Sequence, residues 1–197
     1  MKRIMILFAG IVLATSSVFG QNANRRGFFV ELQGGAALGE VLYLEPMDGG
    51  QNPIAYLKGG FVGSLDLGYR FRTSRHFALE AKVGLWSDFA DFGNTWNFRI
   101  LPGIRWTSSE FGKNQSAFIA LNTGFGFGGY DYYSYFTVPV ELGAGINFTP
   151  NLYAGIVWEY NLFVGEDDEY YFHFGNNSYS KCGRTYNSLA IRLGYRF

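Results

Sequence analysis

Apolar residues alternate with small or charged residues along the last segment of the chain, from Leu189 to Phe197. A period of two places the two sets on opposite faces of a β-strand, so each face has its own environment. Seven earlier segments alternate in the same way, at about residues 27–36, 57–71, 77–87, 95–107, 116–127, 136–148 and 152–162. The pattern predicts an all-β protein with eight strands.

The connections between the predicted strands differ in length. Short or modest connections are 72–75, 108–115 and 149–151, long ones are 38–56 and 165–185, and 88–94 and 128–135 lie between these extremes. Short turns at one end and longer loops at the other are typical of an eight-stranded antiparallel up-and-down transmembrane β-barrel, with both termini at the short-turn end. Pro102 and Pro139 fall inside predicted strands. Because a closed barrel has no edge, each proline is expected at a bulge or a strand end.

The two faces of the predicted strands differ in charge. One face is essentially uncharged, and the other carries both signs: Glu31, Asp66, Arg70, Glu80, Lys82, Arg99, Arg105, Glu141, Glu159, Arg192 and Arg196. An unpaired charge facing hydrocarbon costs several kcal/mol. The charged face is therefore predicted to point into the barrel and the apolar face toward lipid. A water-soluble barrel of the lipocalin type, with the apolar face inside, fits the alternation equally well.

The placement of the aromatic residues favours the membrane-spanning barrel. If the strands run alternately up and down, two sets of rings fall at two levels, as the interfacial girdles of a membrane barrel do. The set at the short-turn end is Phe28, Phe71, Phe77, Trp106, Phe148 and Phe197, and the set at the loop end is Trp96, Phe127, Phe136, Tyr160 and Tyr186.

The interior of an eight-stranded barrel is only wide enough to be filled by side chains. Paired Arg and Glu side chains are expected to fill it, with inward glycines leaving room for the long arginines. The sequence thus predicts a closed lumen crossed by ion pairs. The alternative is a narrow channel lined by the same residues.

The first 20 residues have the pattern of a secretory signal peptide. Lys2 and Arg3 precede an apolar run from Ile4 to Ala14, and a small residue, Gly20, precedes a polar stretch. We expect removal of residues 1–20 and an exported barrel domain over 21–197. A retained N-terminal anchor is the alternative, although this run is shorter than the ~20 apolar residues that a transmembrane helix needs.

Composition agrees with strands and tight turns, since 27 of the 197 residues are glycine and 19% are aromatic. Without Lys2 and Arg3, 14 basic residues stand against 16 acidic residues, so nucleic acid is not an expected partner. The single cysteine, Cys182, excludes an internal disulfide framework. It is interpreted as an inert loop thiol, and pairing between two chains is the alternative.

The chain resembles the small outer-membrane β-barrel families, such as the barrel domains of OmpA, OmpX and OmpW. The resemblance rests on three segments: 62–71 (VGSLDLGYRF), 147–155 (NFTPNLYAG) and the closing 193–197 (LGYRF). It implies a bacterial outer-membrane location, contact with lipid and lipopolysaccharide, and biogenesis through periplasmic chaperones and the barrel-assembly machinery. The expected insertion signal is Leu193, Tyr195 and Phe197.

Enzymatic chemistry is not indicated by the residues. Barrel lipid-A deacylases use a His-x-Ser pattern, and neither His76 nor His173 is followed by Ser at that spacing. No Cys and His spacing is typical of a metal site, and no cofactor is expected.

Two loop segments are candidates for surface interaction. An acidic run, Glu166, Asp167, Asp168 and Glu169, precedes Tyr170 and Tyr171, and a second tyrosine-rich patch includes Tyr132 and Tyr133. The acidic run is either a solvated loop or a site for divalent cations shared with lipopolysaccharide phosphates. The tyrosines form either a recognition surface for an unknown partner or part of the aromatic girdle. The resulting hypotheses are a non-enzymatic barrel with a structural or surface-interaction role, then a small channel for ions or small or hydrophobic solutes, then a lipid-modifying enzyme.

Overall fold

The structure, a computed structural model, describes residues 26–46, 60–90, 93–111, 114–130, 133–164, 172–174 and 177–197. Side chains are described in 26–38, 60–89, 96–111, 114–129, 136–162 and 186–197. The expected signal peptide, residues 1–20, lies outside these ranges. The strands are β1 (Gly27–Pro46), β2 (Phe61–Arg72), β3 (Phe77–Ala90), β4 (Gly93–Thr107), β5 (Ser116–Thr123), β6 (Phe125–Tyr130), β7 (Tyr133–Asn147), β8 (Leu152–Val164), β9 (Phe172–Phe174) and β10 (Asn177–Arg196). Within the described ranges, no helix has the length and apolar character needed to cross a membrane.

The strands close into a barrel by antiparallel pairing of neighbours. β5 and β6 continue one another between β4 and β7, and β1 pairs with β10 to complete the ring. β9 pairs with the start of β10. The barrel strands are therefore β1, β2, β3, β4, β5 with β6, β7, β8 and β10. The predicted fold class, an eight-stranded antiparallel up-and-down barrel, is confirmed.

Burial alternates along the strands, with charge inside and apolar surface outside. On β2, Asp66 is buried while its neighbours Leu65 and Leu67 are exposed. Outward side chains such as Phe28 and Ile191 are 67% and 70% exposed. A barrel in water would expose its charges and bury such residues. This inverted distribution is that of a barrel surrounded by lipid, because outward charges would face hydrocarbon there.

Both prolines lie where the strand ladder is already interrupted. Pro102 lies between the β4 residues that pair with β5 and those that pair with β6, and Pro139 holds the equivalent place on β7. Between β5 and β6 lies Gly124, whose N–H donates to the Pro139 carbonyl at 3.3 Å. Each proline lies inside its strand, and the register with the intervening strand is the same on both sides of it, so neither lies at a strand end or at a register shift as expected. Both prolines lie instead beside the break between β5 and β6, where the ladder pairing lapses.

The first and last strands are longer than the sequence indicates. Long loops are predicted at 38–56 and 165–185, but β1 continues to Pro46 and β10 begins at Asn177, and the extensions pair with each other. Cys182, predicted in a loop, lies in this extension of β10. The loop bounds were wrong because strands that continue beyond the bilayer need no apolar face, so alternation fades while the backbone pairing persists.

The connections predicted at 88–94 and 128–135 are also too long. β3 and β4 remain paired to Ala90 and Gly93, and β6 and β7 to Tyr130 and Tyr133. The same fading of alternation accounts for both differences.

Most of the predicted girdle rings point outward, and Tyr186 does not. Phe28, Phe77, Trp96 and Phe127 are each at least half exposed, whereas Tyr186 is fully buried inside the barrel. The assignment of Tyr186 to the outer girdle was wrong. Residues at even positions of this part of β10 face the lumen, as buried Ser188 and Ala190 do, and Tyr186 continues that series.

Candidate functional site: the lumen

The residues predicted to line the lumen are all no more than 5% exposed. They fall into layers along the barrel axis. The central layer is defined as Glu31, Asp66, Lys82, Arg99, Glu141, Glu159 and Arg192. The turn-end layer, on the side of connections 73–76, 108–115 and 148–151, is Arg70, Glu80, Arg105 and Arg196. The loop-end layer, on the opposite side, is Ala37, Val62, Trp86 and Tyr186, which form one apolar cluster.

Lys82 is the centre of the central layer. Its ammonium Nζ lies 2.8 Å from both carboxylate oxygens of Glu141, 3.1 Å from Glu31 Oε2 and 3.6 Å from Asp66 Oδ2. These four residues come from β3, β7, β1 and β2. One cation therefore joins carboxylates from three other strands.

Arg99 forms a second centre in the same layer. Its Nη2 donates to Asp66 Oδ2 at 2.8 Å and to Ser64 Oγ at 2.9 Å, while its Nη1 donates to Glu159 Oε1 at 2.7 Å. Glu159 also accepts from Asn161 Nδ2 at 2.8 Å. The guanidinium thus bridges β2 and β8 across the lumen.

Arg192 joins the last strand to the layer. It forms an ion pair and hydrogen bond with Glu141, and its Nε lies 3.4 Å from Glu31 Oε2. Neutral side chains donate further hydrogen bonds to the same carboxylates. Asn122 Nδ2 donates to Glu141 at 2.9 Å, and the Tyr153 hydroxyl donates to Glu31 at 2.8 Å. Buried carboxylates are stable only when paired and hydrogen-bonded in this way.

The turn-end layer combines guanidinium groups with aromatic rings. Arg70 Nε lies 2.5 Å from Glu80 Oε1, and Arg105 Nη1 lies 3.5 Å from the same oxygen. The guanidinium carbon of Arg105 lies 3.5 Å from the centre of the Phe118 ring and 4.6 Å from that of Tyr153. Cation–π contacts therefore stabilise the desolvated arginines of this layer, in addition to their ion pairs with its single carboxylate.

Aromatic packing closes the loop end. The rings of Trp86 and Tyr186 pack edge to face with centroids 5.2 Å apart, and both side chains are buried. Asn97, which pairs directly with Trp86, donates from Nδ2 to Thr137 Oγ1 at 2.6 Å. The contact between Trp86 on β3 and Tyr186 on β10 joins strands that are not neighbours, whereas the contact between Asn97 and Thr137 passes over Gly126 on β6.

Inward glycines make room for these side chains. A Cβ on Gly84 would lie 2.0 Å from Asp66 Oδ1, and one on Gly194 would lie 2.1 Å from the Tyr153 ring. Real Cβ atoms do not approach other atoms so closely. The glycine-rich composition of the inward faces therefore has a packing role.

Sequence reasoning missed part of the lumen. Gln33, Asn122, Tyr153 and Trp86 are buried there as well, although the predicted set of charged residues leaves them out. Gln33, Trp86 and Tyr153 each share a strand face with a charged residue, whereas β5, which carries Asn122, has no charged residue. Gln33 Nε2, for example, donates to Asp66 and to Glu141, both at 3.2 Å.

The remaining candidate residues belong to the predicted loops and to the insertion signal. Tyr132, Glu166, Asp167, Asp168, Glu169, Tyr170 and Tyr171 fall outside the described residues, and Tyr133 begins β7 opposite Tyr130. In the insertion signal, Leu193 is exposed on the outer face, while the Tyr195 and Phe197 rings pack edge to face with centroids 5.2 Å apart.

The two histidines lie at different ends of the barrel. His76 lies in the turn between β2 and β3, with its Nδ1 2.9 Å from the Thr107 carbonyl oxygen. His173 lies in β9, in register with Ser178.

Three solved structures are similar to the chain over most of its length. Neisserial surface protein A is 14% identical, with 88% of this chain and 99% of that chain covered and a TM-score of 0.48. AlkL, an outer membrane protein solved in DMPC lipid bilayers, is 10% identical, with 91% and 94% covered and a TM-score of 0.45. The outer membrane protease OmpT from Escherichia coli is 12% identical, with 87% and 97% covered and a TM-score of 0.42.

All three TM-scores lie below 0.5, so the fold rests on the strand pairing described above and not on these similarities. No protein-family model and no curated protein matches the sequence.

Proposed function

We propose that the protein is an integral outer-membrane β-barrel with a closed lumen and a structural or surface-interaction role through its extracellular loops. The observation that carries this proposal is the central layer. Lys82 on β3 binds Glu141 on β7, and Arg99 on β4 binds Glu159 on β8, so ion pairs join walls that are three strands apart. A solute would have to break these buried pairs to pass.

The outer-membrane location is supported by the apolar belt and the charged interior. In this orientation the turn end lies in the periplasm and the loop end outside the cell. Residues 1–20 are proposed to be a cleaved export signal. Leu193, Tyr195 and Phe197 are proposed to be read by the barrel-assembly machinery after chaperone-assisted transit. Membrane lipid and lipopolysaccharide would surround the outer face.

A non-enzymatic role fits the position of His76. Its Nδ1 contacts a backbone carbonyl in a turn, at the opposite end of the barrel from the outer leaflet in which lipopolysaccharide lies. His173 lies in β9 at the loop end, but it is not followed by the serine of the His-x-Ser pattern that barrel lipid-A deacylases use.

Single-channel recording of the refolded protein in a planar bilayer tests the closed lumen. Heat-modifiable migration on a gel first establishes that the barrel has folded. We expect no resolvable current steps. Steady steps whose size changes in Arg99→Gln or Glu141→Gln would contradict the closed lumen and favour the small-channel alternative.

The surface role is tested by exchanging the acidic run for neutral residues. Bacteria that display the variant with serine at 166–169 are compared with bacteria that display the parent protein in an adhesion assay. Equal barrel levels in the membrane fraction are the control. We expect reduced adhesion, and unchanged adhesion would contradict a role for this run.

A further inference from the structure

The turn-end layer holds more buried cations than anions. Arg70 and Arg105 are 5% and 1% exposed, and both are oriented toward one carboxylate, Glu80. The nearest carboxylate of the central layer, Glu31, already contacts Lys82, Arg192 and Tyr153. At least one positive charge is therefore left in excess at this end of the lumen, where the surroundings are poorly solvated.

The same arginines carry N–H groups that the protein does not use. Among the described residues, neither Arg70 Nη2 nor Arg105 Nε has a hydrogen-bond acceptor, although both atoms are buried. Arg105 Nη2, by contrast, donates to Asn147 Oδ1 at 3.1 Å, and Asn147 Nδ2 donates to Ser116 Oγ at 2.9 Å. Buried donors without acceptors are rare in native proteins and call for a partner.

Positive charge continues from this layer to the opening of the lumen. Arg72 lies two residues beyond Arg70 on the same face of β2 and is exposed. On β10, which is separated from β2 only by β1, Arg196 donates to the Pro150 carbonyl in the turn before β8. A cleft lined by one sign of charge attracts counter-ions toward its interior.

We propose that the turn end of the lumen binds one small inorganic oxyanion of the phosphate or sulfate class, held by Arg105 and Arg70. The planar fork of a guanidinium matches two oxygens of such an anion, and charge-assisted hydrogen bonds would satisfy the unused donors. The ligand is the free anion and not a lipid headgroup, because the donors lie inside the barrel wall and the lipid lies outside it.

Calorimetric titration of inorganic phosphate into the refolded protein tests the proposal. The protein is held in an uncharged maltoside detergent, and sodium chloride keeps the ionic strength constant. We expect saturable binding at one site per chain and a rise in the thermal unfolding midpoint that saturates with it. Arg105→Gln should weaken the affinity at least tenfold, whereas Arg75→Gln, in an exposed turn, should leave it unchanged.

A second variant keeps the test decisive if Arg105→Gln does not fold. Arg72→Gln changes an exposed side chain and should weaken phosphate binding several-fold at low ionic strength, with a smaller difference at high ionic strength. Absence of saturable binding to the parent protein would overturn the proposal, as would an equal rise of the unfolding midpoint with chloride alone.

An experiment in lipid vesicles distinguishes a free anion from a lipid headgroup as the ligand. The phosphate titration is repeated in phosphatidylcholine vesicles with and without phosphatidylglycerol. We expect the same phosphate affinity in both. Loss of phosphate binding when phosphatidylglycerol is present would identify the headgroup as the occupant and overturn the assignment to a free anion.

Discussion

Replacing Lys82 by methionine removes the cation at the centre of the central layer. The two Glu141 oxygens at 2.8 Å and the Glu31 oxygen at 3.1 Å would lose their shared partner. The layer would then hold four carboxylates against two guanidinium groups. Removing one partner of a buried pair typically costs 3–5 kcal/mol, so we expect the free energy of unfolding to fall by about that amount in Lys82→Met.

A second substitution tests the electrostatic cause. Adding Glu141→Gln to Lys82→Met leaves three carboxylates and two guanidinium groups, which restores the single excess negative charge of the parent layer. The destabilisation of the double variant should therefore be about 2 kcal/mol smaller than the sum of the two single effects, within the range measured for coupled neighbours.

Urea unfolding of the barrel in phospholipid vesicles, followed by tryptophan fluorescence, measures both effects. The chain has four tryptophans, all in barrel strands, so the signal reports the whole barrel. Arg75→Gln, in an exposed turn, is the control and should change stability by no more than about 0.5 kcal/mol. A loss below about 1 kcal/mol in Lys82→Met, or strict additivity in the double variant, would refute the reasoning.

Two further predictions concern packing and the outer face. Gly194→Ala should be destabilised by about 1–3 kcal/mol, because its new Cβ would meet the Tyr153 ring, whereas Gly34→Ala should be tolerated, since its Cβ would lie 3.5 Å from the nearest atom, on the Phe61 ring. Urea midpoints compare the two, and equal midpoints would contradict the packing argument. Val83→Arg, in the middle of an outward face, should cost about 2–4 kcal/mol in vesicles, and an effect within about 0.5 kcal/mol would indicate that this face meets water.

The barrel and the contents of its lumen follow from alternation where the strands are in contact with lipid. Asp66 and Lys82 are identified as inward residues because their strand neighbours are apolar, and the structure brings both side chains to the same cluster. Even Tyr186 could have been placed correctly from parity, counting back from Arg192. The sequence pattern was misread there because Asn187, its outward neighbour, is polar.

Other features depend on contacts that no local pattern encodes. Arg99 could pair with any of several inward carboxylates. Its actual partners depend on the register between strands and on the lengths of the side chains that meet across the lumen. The paired extension of β1 and β10 is equally non-local, since it lies beyond the bilayer, where neither face must be apolar. Pro102 and Pro139 indicate that the ladder is interrupted on their own strands. They do not indicate that the break on the strand between them falls at Gly124.

The seam between β1 and β10 has a consequence for the kinetics of assembly. It is the longest ladder among the described strands, from Phe29 opposite Arg196 to Pro46 opposite Tyr179, and it joins the two strands farthest apart in the chain. Contacts of such large sequence separation form slowly, since the whole intervening chain must be ordered first. Closure of this seam is therefore the natural last step of folding, and its length makes reopening the rate-limiting step of unfolding. The lifetime of the folded protein would then be set by this one boundary.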